Sequence, residues 1–147
     1  MHKYEVEYKE ALRALYDKYI TKIIPNESFK VYKKNLEHNP TALNFLKLSR
    51  GWSDEIIKEL SLGHTVIEDV PFITIPVKDE YGFYVSVLFY NYTHNKDKPK
   101  FLMLQDGDNS PRIFGLECLK SSKKIYIFEG QPDWILGLSL GLPSITF

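Results

Sequence analysis

The sequence predicts an α+β fold, and three observations carry that prediction. Hydrophobic residues recur at helical spacing up to about Gly63 and with the period of strands from Pro71 onward. The turn sequence Asp79-Glu80-Tyr81-Gly82 separates two β-rich runs, as in an antiparallel hairpin. Near the end, the apolar run Ile125-Tyr126-Ile127-Phe128 leads into Glu129-Gly130, a helical pattern that closes at Gly141, and a second strand-like run from Leu142 to Phe147. The order is therefore a helical leader over 1–40, a small mixed α/β subdomain with antiparallel strands over 41–123, and a β-α-β unit over 124–147.

The elements follow in chain order. Residues from about Val6 to Ile24 read as an amphipathic helix, with Leu12, Leu15, Tyr16, Tyr19, Ile20 and Ile23 on one face as a core or partner-helix stripe. Pro25-Asn26-Glu27 ends it, and a short helical segment with Phe29, Val31, Tyr32 and Leu36 runs to Asn39-Pro40. Two short helices come next. The first spans Pro40 to Leu48 and closes at Arg50-Gly51. Ser53 caps the second, Asp54 and Glu55 occupy its first turn, and Gly63 is the expected C-terminal glycine. The stretch from Gly63 to Pro71 is a candidate boundary. Strands are expected over Phe72–Val77, Phe83–Tyr92 and Lys100–Leu104. A turn over Gln105–Ser110 and a short helix opened by Phe114 lead to the terminal unit.

Composition narrows the function classes. Lys plus Arg and Asp plus Glu number 19 each, so the neutral total argues against a nucleic-acid coat protein while allowing a local basic groove. The single cysteine, Cys118, excludes an internal disulfide framework and a cysteine-based zinc module. No apolar run is long enough to span a membrane and the N-terminus lacks a signal-peptide core, which predicts a cytoplasmic protein without membrane partners.

The chemistry concentrates at Glu129-Gly130-Gln131-Pro132-Asp133. A buried strand followed by a tight turn at Gly130 and a helix would present Glu129 and Asp133 together at the strand's C-terminal edge, an arrangement suited to a divalent metal. A carboxylate at a helix N-terminus is also favoured by the helix dipole alone. Other constellations have plainer readings. Asp106-Gly107-Asp108-Asn109 lacks the distal Glu of a calcium loop and reads as a polar turn. His2, His38, His64 and His94 lack metal-ligand spacing and read as surface or loop residues. The loop from His94 to Lys100, with Tyr90 and Tyr92 upstream, is either a solvated hairpin loop or a basic, aromatic grip for single strands. Trp52 and Trp134 read as apolar anchors.

From about Ala42 onward, the chain resembles the catalytic core of bacterial and phage-type DNA primases, including the helicase–primase branch. The resemblance rests on Leu46-Lys47-Leu48-Ser49-Arg50-Gly51-Trp52-Ser53, Leu60-Ser61-Leu62-Gly63, Ile75-Pro76-Val77-Lys78-Asp79 with Gly82, Pro99-Lys100-Phe101-Leu102 and Ile113-Phe114-Gly115-Leu116, in that order. Glu129-Gly130-x-x-Asp133 then falls where the TOPRIM fold, a metal-binding α/β module, begins. The resemblance implies RNA primer synthesis from ribonucleotides on a single-stranded DNA template, with Mg2+ or Mn2+ as cofactor and a fused or separate replicative helicase as partner. It assigns Glu129 and Asp133 to catalysis and metal, and Lys78, Lys100 and Arg112 to template or nucleotide.

The sequence also departs from that pattern. The leader has no zinc module. Val87-Leu88-Phe89-Tyr90 offers no basic residue where relatives have one. No Asp-x-Asp follows the acidic turn before Phe147, so the expectation is a fragment or a truncated relative, inactive by itself. The alternative is a non-catalytic module that binds single-stranded DNA or a replication partner. A TOPRIM nuclease is disfavoured by the Ile-Pro-Val-Lys-Asp hairpin.

Overall fold

The computed structural model describes residues 3–19 and 23–147 and shows a mixed α+β architecture. Helix α1 spans Lys3–Tyr19 and begins ahead of the expected Val6. Leu15 on its apolar stripe is exposed. His2 and Ile20 lie outside the described residues.

Helix α2, Ser28–Glu37, buries Phe29 and Leu36. Helix α3, Pro40–Asn44, starts from Asn39, whose side chain accepts from the Ala42 N–H, and continues as one π-helical turn, Phe45–Ser49. That turn widens the chain, with Arg50 N–H bonded to Phe45 O at 3.2 Å and Trp52 N–H to Leu46 O at 3.0 Å. Gly51 follows at φ +73°, a left-handed position that favours glycine. Helix α4, Asp54–Glu59, is capped by the Ser53 side chain as expected.

The expected glycine cap of α4 is not where the helix ends. Ser61 takes the left-handed conformation at φ 54°, and Gly63 instead opens strand β1, Gly63–Ile67. A Cβ at Gly63 would stand 2.5 Å from Tyr32 Cβ and 2.6 Å from Thr74 Oγ1, so close packing selects the glycine. The candidate boundary over 63–71 is thus a hairpin, with β1 antiparallel to β2, Val70–Lys78. Glu68 and Asp69 both have positive φ, the geometry of a two-residue primed turn.

Strand β3, Tyr84–Tyr90, and strand β4, Phe101–Met103, complete an antiparallel meander in the order β1-β2-β3-β4. A bulge where Lys78 meets Tyr84 shifts the register. Strands β2 and β3 are buried on both faces. Ile73, Ile75, Val77, Leu88 and Tyr90 face a large core with Leu36, Leu46, Trp52 and Ile57, while Phe72, Val87 and Phe89 pack with Phe29 on the other side.

The terminal unit forms as expected. Strand β5, Tyr126–Phe128, helix α5, Gln131–Ser139, and strand β6, Ser144–Thr146, make a parallel β-α-β crossover. Trp134 and Ile135 of α5 belong to the large core together with Trp52. Strand β5 is less buried than its apolar sequence suggests. Ile127 is 66% exposed, because β5 pairs with β6 alone and α5 covers one face. The segment opened by Phe114 becomes a 3-10 turn, Leu116–Lys120, and Phe114 itself bridges to Thr146.

Candidate functional site

The acidic turn is built by the β5–α5 connection. Glu129 directly follows the strand, Gly130 is the N-cap of α5, and Asp133 lies in the first helical turn. Gly130 O accepts the Trp134 N–H at 3.0 Å, and Thr146 Oγ1 donates to Phe128 O at 2.8 Å, fixing the end of β5. Gly130 is extended, at φ −157°, and a Cβ there would meet only Pro132 Cδ at 3.8 Å. The turn therefore needs no glycine for backbone reasons. Both carboxylate residues are exposed.

The segment after the π-helical turn packs against this corner. Trp52 Nε1 donates to Pro132 O at 3.2 Å, and the Ser53 N–H donates to Ser139 Oγ at 3.0 Å. The widened backbone thereby delivers Arg50 to the end of β3. Arg50 Nη2 donates to the Tyr90 hydroxyl and meets His94 Nε2 at 3.1 Å. Its guanidinium carbon lies 5.4 Å from the Tyr90 ring centre. Burial raises the Tyr90 hydroxyl above its ordinary pKa, Arg50 opposes that rise, and Asp133 adds to it. The fields of Arg50 and Asp133 thus both reach the same buried phenol.

The expected basic residues separate into three situations. Lys100 directly precedes Phe101, which pairs with Tyr90, so it lies at the Arg50 end of the sheet. Its Nζ stands 5.4 Å from the Phe101 ring centre. Lys78 pairs with Tyr84 at the opposite end of β3, roughly 20 Å away along the strand. Arg112 is engaged inside its own turn. It pairs with Asp108 at 3.0 Å, donates to Ser110 Oγ at 3.1 Å, and buries an unpartnered Nε–H. Ser110, followed by Arg112, holds the Asp108 carboxyl below the usual carboxylate range. Lys78 and Lys100 thus lie at opposite ends of the sheet, and Arg112 is engaged by Asp108. Lys100 and Arg50 share the Tyr90 end of the sheet, and Pro132 O of the acidic turn is bonded to Trp52, whose ring centre lies 6.2 Å from that of Tyr90.

The loop between β3 and β4 is an ordered scaffold. The Asn91 side chain donates to Asn95 O at 2.8 Å, Lys98 O at 3.1 Å and Pro99 O at 3.3 Å, and accepts from the Asn95 N–H at 3.1 Å. Lys98 is paired with Glu68 of the β1–β2 turn. Tyr90 and Tyr92 are 0% and 6% exposed, so neither ring offers a face for base stacking. His64 corrects the surface reading given to the histidines. It is buried on β1, with Nε2 3.1 Å from the Tyr92 hydroxyl.

Glu129 and Asp133 can supply two of the oxygen ligands a hard divalent cation requires. Among the described residues, no group of three or more metal-ligating side chains comes together. The sequence placed Tyr90 and His94 at a loop read either as solvated or as a strand grip, but Arg50 stood inside a motif read as a helix ending, and its contact with both residues was not anticipated.

Among the described residues, no helix is long and apolar enough to cross a membrane. No protein-family model matches the sequence, and no curated protein matches it. Solved structures do. The Aquifex aeolicus primase, comprising zinc-binding and RNA polymerase domains, is similar over 95% of this chain and 47% of its own, at 20% identity and a TM-score of 0.66. A DnaG primase catalytic domain bound to single-stranded DNA matches over 82% of this chain and 51% of its own, at 15% identity and a TM-score of 0.60. The primase fragment of the bacteriophage T7 primase-helicase matches over 67% of this chain and 40% of its own, at 24% identity and a TM-score of 0.52. The fold is that of primase catalytic cores, and the chain spans about half the length of the structures it matches.

Proposed function

We propose that this chain is part of a DNA primase that synthesises RNA primers from ribonucleotides on single-stranded DNA, with Mg2+ or Mn2+ as cofactor. One juxtaposition carries the reading. The Glu129–Asp133 turn, at the C-terminal edge of a parallel strand, is tied through Trp52 to Tyr90 and its Arg50 partner at the end of an antiparallel sheet, within a primase-core fold. The β5–α5–β6 unit is read as the start of a TOPRIM module. In this reading, Glu129 and Asp133 provide two ligands of a metal site completed by further groups. The metal neutralises the triphosphate when bound. Arg50 supplies at the Tyr90 end of β3 the positive charge that the strand's own sequence lacks. Lys100 contacts a phosphate of strand or nucleotide at the same corner, and Lys78 a more distant one. Arg112 serves its own turn. The T7 neighbour is a primase-helicase, which supports a replicative helicase as partner.

A second reading, a non-catalytic single-strand-binding module, is favoured by the observation that no three metal-ligating side chains come together among the described residues. Both readings require strand binding, and primer synthesis by an assembled core divides them. Binding of a fluorescent oligothymidylate should weaken as salt rises, because displaced counterions drive association. Lys100→Glu should weaken it and reduce the salt slope by about one or more phosphate contacts, with an unchanged melting curve. Salt-independent binding, or no effect of Lys100→Glu, would remove Lys100 from the site.

A further inference from the structure

We infer that His94 is a positioning residue that locks Arg50 into the orientation in which it meets a phosphate. The inference rests on the phosphate-contact reading of the Arg50 corner. Arginine carries donors only, so the 3.1 Å contact from Arg50 Nη2 makes His94 Nε2 the acceptor. In that role Nε2 carries no proton, and the ring's proton lies on Nδ1. The second Nη2 hydrogen goes to the Tyr90 hydroxyl. Two acceptors saturate Nη2 and hold the guanidinium over the Tyr90 ring. The donors on Nε and Nη1 have no partner among the described residues and remain for a ligand.

The backbone gives a second, independent observation. His94 sits at φ 54°, a conformation that non-glycine residues adopt at a cost. The Asn91 side chain organises the loop around it, and the His94 N–H donates to Asn91 O at 3.3 Å. His94 itself is exposed, so burial of its ring does not account for the strained position. A glycine would relieve the backbone, and the ring's contact with Arg50 is what a glycine would lose. The ligand is a phosphate group, either of a single strand or of a nucleoside triphosphate.

The test uses the full chain with two probes, a fluorescent oligothymidylate and a fluorescent ribonucleoside triphosphate. His94→Gly should keep or raise the melting temperature, since it relieves the left-handed backbone. It should also weaken binding of at least one probe by about three- to tenfold, the scale of one hydrogen bond to a charged group. His94→Gln, whose Oε1 can accept where Nε2 does, should restore binding to within about twofold of native. Loss confined to the oligonucleotide assigns the phosphate to a strand, and loss confined to the triphosphate assigns it to a nucleotide. Nitrogen NMR of the His94 ring should show the proton on Nδ1. A proton on Nε2 overturns the proposal. So does native binding by His94→Gly when Arg50→Ala binds weakly, and that result leaves the phosphate reading standing. Native binding by both variants overturns the positioning role and the phosphate reading of this corner together.

Discussion

His64 is the histidine whose surroundings fix its charge. It lies on β1 with 6% of its surface exposed, and its ring meets the Tyr92 hydroxyl at 3.1 Å and the Tyr92 ring edge-on. Burial lowers its pKa below the ordinary histidine value. The unfolded chain therefore takes up a proton at a higher pH than the folded one. That linkage leaves stability intact above the unfolded value of about 6.5 and removes it progressively as pH falls below it, until the folded ring also protonates. His64→Gln retains a polar partner for Tyr92 without a titrating ring. The native protein should lose more urea stability than His64→Gln between about pH 7 and about pH 5. Parallel pH profiles for the two proteins would show that His64 does not couple folding to protons.

At the scale of elements, the position of Gly63 decides how α2 meets the sheet. An added methyl would stand 2.6 Å from the Tyr32 backbone carbon as well as against Thr74. Neither the backbone of α2 nor the central strand can retreat without disturbing Phe29 and Leu36 beneath it. Gly63→Ala should cost about 2 kcal/mol or more in urea unfolding, while the same substitution at Gly82, with nothing within 4 Å, disturbs only its own left-handed turn. Asn91→Ala strips three carbonyls of the β3–β4 loop of their donor. It should destabilise the fold by about 1–3 kcal/mol and raise amide exchange over residues 94–99. These elements also show what the sequence could and could not display. The hairpin at Asp79–Gly82 and the β5–α5–β6 unit were legible because strand runs, turn residues and Gly141 all agree. Strand β1 was not legible, because Glu68-Asp69 forms a primed turn without its usual Asn-Gly signature. Gly63, meanwhile, sits where a helix-capping glycine is expected. Arg50 was visible as a residue but not as a site. Its placement depends on the π-helical turn, and i→i+5 bonding leaves no period in five residues.

At the scale of the whole molecule, two structures share one core: an antiparallel sheet with Arg50 held at the end of β3, and a parallel unit carrying the acidic turn. Trp52 joins them, buried in that core and bonded to Pro132 O at 3.2 Å. On the proposed reading, that division makes metal binding and strand binding separable. On the same reading, Glu129 and Asp133 supply two ligands where a tightly held cation requires several more, and water fills the remaining positions. Mg2+ affinity of the chain alone should be weak, about millimolar or weaker by titration calorimetry, and the purified chain should make no primers. Glu129→Gln keeps the side-chain shape and removes the charge, so it should abolish the residual Mg2+ binding. Oligothymidylate binding should persist or tighten slightly, since one fewer negative charge on the chain repels the strand's phosphates less. Asp133→Asn should act in the same direction, with a further signature. Its charge is one of those that raise the Tyr90 hydroxyl pKa, so that pKa should fall in the variant, as followed by ultraviolet absorbance titration. Tight Mg2+ binding that survives Glu129→Gln would place the metal elsewhere on the chain. Template-dependent ribonucleotide incorporation by the chain alone would show that its two carboxylates suffice.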